Sequence, residues 1–436
     1  MGSRTGVRPY DRGMTEAPAR YHVRPAGPLV GTVRAAGMTK NAGCKQLAAA
    51  LLCPGVSTVR NLHPVADLDV MCELLRAIGA GVEWDGDDAL RVDATGPIVP
   101  EAPYELVSRM RASINVLGPL LARHGRARVA MPGGDNIGSR KLDLHARGLQ
   151  AMGVELDVVH GFIDARVDAL CGARIVLEFP SVGATETLMT AAVLAKGETV
   201  IDNAAREPEI SDLAAFLTEM GASIEGAGSH TIVVEGVDEL VPVDHAIIGD
   251  RIEGGTYLFA TVIAGGDVTV EGITVEQLGV AVDKLTDFGA RVEPTLDGVR
   301  IVMEDRPRSI DVQTLPFPGF ATDFMPFAVT ALAVADGTGI VTENVFDNRL
   351  VFTAELNRMG AHVHTEGRHA VVRGSGRLSG APVQALDVRA GAALVLAGLV
   401  AEGETVVHDA RHIDRGYPDL AGKLAALGGD VTRLVR

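Results

Sequence analysis

Two short phrases recur through the chain in step, and together they restrict its fold more than any other feature. In the first a helix ends at glycine and a strand begins: AIGAGVEW at Gly79, AMGVELDV at Gly153, EMGASIEG at Gly221, DFGARVEP at Gly289, RMGAHVHT at Gly360 and ALGGDVTR at Gly428. The intervals are 74, 68, 68, 71 and 68 residues. The second phrase leads from a helix end through a turn into an alternating strand, at Gly55, Gly125, Gly197, Gly266, Gly337 and Gly403. It precedes the first by 24, 28, 24, 23, 23 and 25 residues. Each phrase has the form of a C-capping glycine at positive φ followed by a strand of period two.

Between the markers lie amphipathic stretches such as DLDVMCELLRAI, DLHARGLQAM, ISDLAAFLTEM, VEQLGVAVDKLTDF and FTAELNRM. A unit with about two helices and several strands is too large for a solenoid repeat of roughly 20 to 50 residues. Six of them point to two α/β domains of three units each, with helices enclosed by a shell of sheets. At 436 residues the chain has the length for two cores. It crosses between domains near PVDHAIIGDRIEGG, and a second time, at about Thr39 to Lys40, if the segment YHVRPAGPLVGTVRAAG completes the far domain. The expected domains are therefore 15–39 with 248–436, and 40–247, after a flexible leader over 1–14. A double crossing makes a hinge, and the functional cleft is expected between the halves.

A net charge of -16 argues against non-specific nucleic-acid binding, so any attraction for an anionic ligand has to be local. No apolar run reaches the ~18 to 20 residues of a membrane span, and the N-terminus has no apolar signal core. The four cysteines show neither CxxC pairing nor a histidine at zinc-ligand spacing, so no metal and no disulfide framework is expected, and a reducing cytoplasm fits. Cys44 lies inside the helix-like GCKQLAAALL and reads as a packed small residue.

Polar chemistry gathers in a few segments: GMTKNAG (Lys40, Asn41), MRASIN (Arg111, Ser113), GGDNIGSRKLDLH (Gly133 to His145), FATDF (Thr322, Asp323), DVRAG (Asp387, Arg389) and HIDRGY (Asp414, Arg415). Paired glycines and crowded charges make 131–141 a lid loop. Arg111 and Arg389 each precede small residues where an apolar helix starts, so a guanidinium and free backbone N–H groups are expected to face one anion. Ser181 and Gly183 in SVGATETLMTAA repeat that arrangement without charge.

In this order, KN, MRAS, PGG-x-NIG-x-R, PSVGAT, NAAREPEI, F-x-TDF, TENVFDNR, D-x-RA and HIDRGY resemble the UDP-N-acetylglucosamine 1-carboxyvinyltransferase family of enolpyruvyl transferases over nearly all of the chain after residue 22. The resemblance implies two inside-out α/β barrels, each of three βαβαββ units, with a cleft between them. It also implies transfer of the enolpyruvyl group of phosphoenolpyruvate to the 3-hydroxyl of UDP-N-acetylglucosamine by addition and elimination, with release of phosphate and no cofactor. Carried over by motif, Lys40 and Arg140 hold the phosphate of phosphoenolpyruvate, Arg389 and Arg415 its carboxylate, and Asn41 adjoins the same site. Asp323 is the base at the acceptor hydroxyl beside Thr322, Asn41 and the Val345 backbone. Arg111, the run Arg140, Lys141, Leu142, Asp143 and Leu144, and Phe179, Pro180, Ser181, Val182 and Gly183 form the nucleotide pocket. Asp135, Asp323, Lys40 and Arg415 are the catalytic set, and the sequence sets no oligomeric state.

Three departures mark this chain. Asp135 stands where most of the family has the cysteine alkylated by fosfomycin, which implies resistance to that antibiotic, since a carboxylate is a far poorer nucleophile toward an epoxide than a thiolate. As a general acid Asp135 has to be raised about three units from ~3.9, so it serves only when the closed, ligand-filled site desolvates it. GMTKN has one residue more before its lysine than the family phrase, and Lys141 replaces a common proline. These two keep open a paralogue acting on another uridine nucleotide such as UMP. A 5-enolpyruvylshikimate 3-phosphate synthase is disfavoured by SVGAT and NAAREPEI, and a ring-forming clamp does not need the cationic motifs.

Overall fold

The computed structural model describes residues 19–134, 137–138 and 142–435. Asp135, Asn136, Ser139, Arg140 and Lys141 of the expected lid, and the expected leader over 1–14, lie outside the described residues.

Six four-stranded sheets repeat one connectivity. In the sheet of residues 101–166, Glu101–Ala102 runs parallel to Arg126–Ala130, which pairs antiparallel with Phe162–Arg166, and that strand pairs antiparallel with Glu155–Val159. Arg174–Val176, Glu198–Asp202, Thr231–Glu235 and Ser223–Glu225 follow the same plan. So do Val312–Gln313, Thr338–Thr342, His369–Arg373 and His362–Glu366. The other three sheets close with strands distant in sequence. Asp244–Ala246 lies parallel to Val56–Arg60, Leu29–Arg34 parallel to Gly266–Glu271, and Arg20–Arg24 sits between Thr405–His408 and Asp430–Leu434. Among the described residues, strands from 56–246 thus pair only with one another, as do those from 20–34 and 266–434, giving two barrels of three sheets.

The marker glycines punctuate this repeat, and every one has positive φ, from 65° at Gly125 to 129° at Gly266. At Gly172, Gly236 and Gly380 a β-carbon would also strike the backbone of a neighbouring segment, so tight strand entry favours glycine outside the markers too.

Each barrel encloses helices that are buried over most or all of their length. Arg251–Ala264, Met325–Val334 and Val388–Gly398 pack on one another, and every residue of the last two is buried. The other barrel encloses Cys44–Ala49, Leu117–His124 and Val182–Ala192. Outer helices such as Ala66–Ala77 and Pro208–Glu219 match the amphipathic stretches read from sequence. The expected single helix VEQLGVAVDKLTDF is broken: Val275–Leu278 and Ala281–Asp287 flank Gly279 at φ 56°. Cys44 is fully buried, and burial pushes its thiol well above the ordinary range, as suits a packing residue. No helix among the described residues is long and apolar enough to cross a membrane.

The two segments joining the barrels run side by side. Met38 N–H donates to Ile248 O at 2.8 Å, Asp250 N–H to Ala36 O at 2.7 Å, and Gly37 bridges Gly249.

Candidate active site

The six enclosed helices share a consequence that sequence alone did not show: their N-terminal ends line one cleft. Lys40 and Asn41 precede the first, Arg111 and Ala112 the second, and Ser181 to Gly183 open the third. Arg251 and Ile252, Thr322 and Asp323, and Asp387 to Arg389 do the same for the other barrel. Each helix end carries partial positive charge, so the cleft attracts anions despite the acidic chain. Its volume is about 590 Å³, within the range for a nucleotide-sized ligand.

Most of the residues singled out from sequence meet there: Lys40, Asn41, Arg111, Asp143, Leu144, Phe179, Pro180, Ser181, Val182, Gly183, Thr322, Asp323, Val345, Arg389 and Arg415 all line the cleft. Leu142 does not. It precedes the helix Asp143–Ala151 and packs against the core. Asp414, grouped with the cationic motifs, is turned to structure: Arg433 donates to it at 2.7 Å and the Tyr21 hydroxyl at 3.2 Å.

The GMTKN segment enters a π turn. Gly43 N–H donates to Met38 O at 3.1 Å, five residues back, forming a π turn over Thr39–Gly43 before the α-helix begins. Lys40 still reaches the cleft, with Nζ 2.9 Å from Asp67 Oδ2.

Asp67 was not legible as a site residue. It sits in the first turn of Ala66–Ala77, only 1% exposed, where an acidic residue is ordinary helix chemistry. Its other oxygen lies 2.7 Å from Arg415 Nε, so one buried carboxylate aligns two cations. Burial alone would raise its pKa, but Lys40 and Arg415 outweigh that and lower it.

A second shared carboxylate lies alongside. Arg349 Nη2 donates to Asp323 Oδ1 at 2.8 Å, and Arg389 Nε stands 3.7 Å from Oδ2. Desolvation opposes ionisation of Asp323, yet the two guanidinium groups prevail and hold its pKa at about 2. Arg349 belongs to the quoted TENVFDNR but gave no separate signal. The backbone reading at Arg389 is corrected. Asp387 caps its helix and accepts from the Arg389 and Ala390 N–H groups at 2.8 and 2.9 Å, so those donors are not free for an anion. Arg111 stands in a 3₁₀ segment, Arg111–Val116, ahead of its α-helix.

Other charges are matched in pairs. Lys45 bonds Glu186 at 2.7 Å and Arg251 bonds Glu209 at 3.1 Å. His145 is different: it is 5% exposed, lines the cleft beside Gly183, and neither ring nitrogen has a hydrogen-bond partner among the described residues. Burial first, and then the charge of Arg111, lower its pKa to about 4, so it is neutral at pH 7. Among the described residues no cluster of His, Cys, Asp and Glu could hold a metal.

Comparison with known proteins agrees with this geometry. The family model for EPSP synthase (3-phosphoshikimate 1-carboxyvinyltransferase) matches residues 23–424. The UDP-N-acetylglucosamine 1-carboxyvinyltransferase of Corynebacterium jeikeium is 50% identical over 94% of this chain and 97% of its own length. The chain belongs to the enolpyruvyl transferase family. The enzyme of the same name from Nocardia farcinica is likewise 50% identical, over 95% of this chain and 98% of its own. Among solved structures, the enolpyruvyl transferase NikO from Streptomyces tendae superposes with a TM-score of 0.85 at 26% identity, covering 96% of this chain and all (100%) of its own. EPSP synthase from Acinetobacter baumannii, with a TM-score of 0.74 at 17% identity over 95% of this chain and 100% of its own, shares the fold. The two barrels with an intervening cleft are thus those of enolpyruvyl transferases.

Proposed function

We propose that this chain transfers the enolpyruvyl group of phosphoenolpyruvate to the 3-hydroxyl of UDP-N-acetylglucosamine, releasing phosphate, as the first committed step of peptidoglycan synthesis. The observation that carries the reading is the cleft itself: Asp67 and Asp323 are each shared between two cations where the ends of six helices converge, in a chain 50% identical to enzymes named for this reaction. The acceptor oxygen adds to C2 of phosphoenolpyruvate while C3 takes a proton. Loss of a C3 proton and departure of phosphate then restore the double bond.

In this reading Lys40 and Arg140 hold the transferred molecule's phosphate, with Arg389 and Arg415 on its carboxylate and Asn41 beside it. Preorganised cations of this kind stabilise developing charge without reorganising. Asp323 takes the hydroxyl proton. At a pKa of about 2 it is too weak a base while both guanidinium groups face it, and the negative charges brought by both substrates raise it. Arg111, Lys141, Asp143, Leu144 and Phe179 to Gly183 receive the nucleotide. Asp135 on the lid over 131–141 protonates C3 once the site is closed. Domains over 15–39 with 248–436 and over 40–247, hinged at the paired segments 36–38 and 248–250, supply that closure.

A uridine nucleotide other than the amino sugar, UMP included, is the second reading. It rests on Lys141 and on the longer GMTKN segment, whose Lys40 and Asn41 lie within the π turn. A cytoplasmic setting accompanies either reading, in keeping with four free cysteines. Phosphate release measured with each acceptor decides between the two.

A further inference from the structure

The loop following the strand Thr338–Thr342 is staked down by one side chain. Glu343 is 1% exposed and accepts four hydrogen bonds. Oε1 takes the Thr314 hydroxyl at 2.9 Å, the Val345 N–H at 2.8 Å and the Phe346 N–H at 3.0 Å. Oε2 takes the Thr322 hydroxyl at 2.8 Å. Thr314 in turn accepts from the Asn344 N–H at 2.8 Å. A buried carboxylate with this many donors is a strong, geometrically specific tie.

What it ties together matters for the reaction. Thr322 adjoins Asp323, Asp323 pairs with Arg349, and Arg349 lies four residues beyond Val345. The contacts thus close a ring from Glu343 through the Asp323 turn and back along the Val345 loop. We infer that Glu343 is a positioning residue that locks the turn bearing Asp323 and the loop bearing Val345 into one unit.

The N–H groups of Val345 and Phe346 are engaged by Glu343, and Val345 lines the cleft. This inference rests on the proposed function for the identity of the acceptor, whereas the lock itself does not.

The test uses the full-length protein with Glu343→Ala, Glu343→Gln and Thr322→Val. Backbone amide exchange at Val345 and Phe346 is followed without substrate, and KM and kcat are measured separately for each substrate. The wild type is expected to protect both amides. Glu343→Ala is expected to lose that protection and to lower kcat/KM for UDP-N-acetylglucosamine on the order of 10²-fold, with KM for phosphoenolpyruvate within about twofold. Glu343→Gln, whose amide oxygen still accepts from both N–H groups, is expected to restore protection and most activity. If the alanine variant does not fold, Thr322→Val carries the test, with kcat reduced and amide protection retained. Unprotected amides in the wild type, or a KM for phosphoenolpyruvate that rises as much as that for UDP-N-acetylglucosamine, overturn the assignment. A wild type that protects these amides yet does not turn over UDP-N-acetylglucosamine overturns the proposed function instead, and the lock stands.

Discussion

Arg415 and Asp67 meet across the cleft at 2.7 Å, 348 residues apart in sequence, while the second Asp67 oxygen holds Lys40 at 2.9 Å. The carboxylate aligns two cations that would otherwise repel, and partly neutralises them. Asp67→Asn keeps the shape and removes the charge. Inorganic phosphate is then expected to bind more tightly, because the uncompensated cations attract it, while kcat falls by about 10- to 100-fold as their alignment is lost. Product inhibition by phosphate beside steady-state turnover checks both. Weaker phosphate binding would contradict the account.

The cations themselves carry transition-state charge. Arg415→Ala and Lys40→Ala are each expected to cost on the order of 2 to 4 kcal/mol in kcat/KM for phosphoenolpyruvate. In the double mutant the losses should fall short of additive, since both residues act through Asp67. A double-mutant cycle measures the coupling, and strictly additive losses would refute a shared role.

His145 links the cleft to acid stability. Its pKa of about 4 in the folded chain lies below the ordinary 6.5. Between those values the unfolded chain binds the extra proton, so stability rises with pH. The contribution is complete above pH 6.5 and is lost as pH falls toward 4, a total of roughly 3 kcal/mol. Denaturant unfolding from pH 7 to 4 should show this slope in the wild type and a flatter one in His145→Gln. Parallel slopes would show that the histidine does not titrate in this way.

The repeat was legible because its markers are dictated by backbone geometry: only glycine takes these positive φ angles cheaply at each helix-to-strand junction. Cations at the starts of apolar helices were legible for a similar reason, since Lys40, Arg111 and Arg389 interrupt otherwise apolar stretches. Their partners were not. Asp67 looks like any first-turn acid, Glu343 like a strand-end residue, and Arg349 like part of a longer motif, because what distinguishes them is contact between segments distant in sequence. Gly279 was read through as helix, since one glycine does not disturb an otherwise apolar periodicity.

Position 135 offers a gain of sensitivity. Asp135→Cys introduces the thiolate that an epoxide alkylates, so fosfomycin should inactivate the variant in a time-dependent manner and leave the wild type active. Residual activity after preincubation, with mass spectrometry of the adduct, reports this. Inactivation of the wild type would remove the chemical basis for the predicted resistance.

Phosphate release from phosphoenolpyruvate, with UDP-N-acetylglucosamine, UMP or shikimate 3-phosphate supplied in turn as acceptor, reads out the reaction itself. Turnover is expected with UDP-N-acetylglucosamine alone, abolished in Asp323→Asn. Turnover confined to UMP or shikimate 3-phosphate, or no release with any of the three, would contradict the proposed reaction.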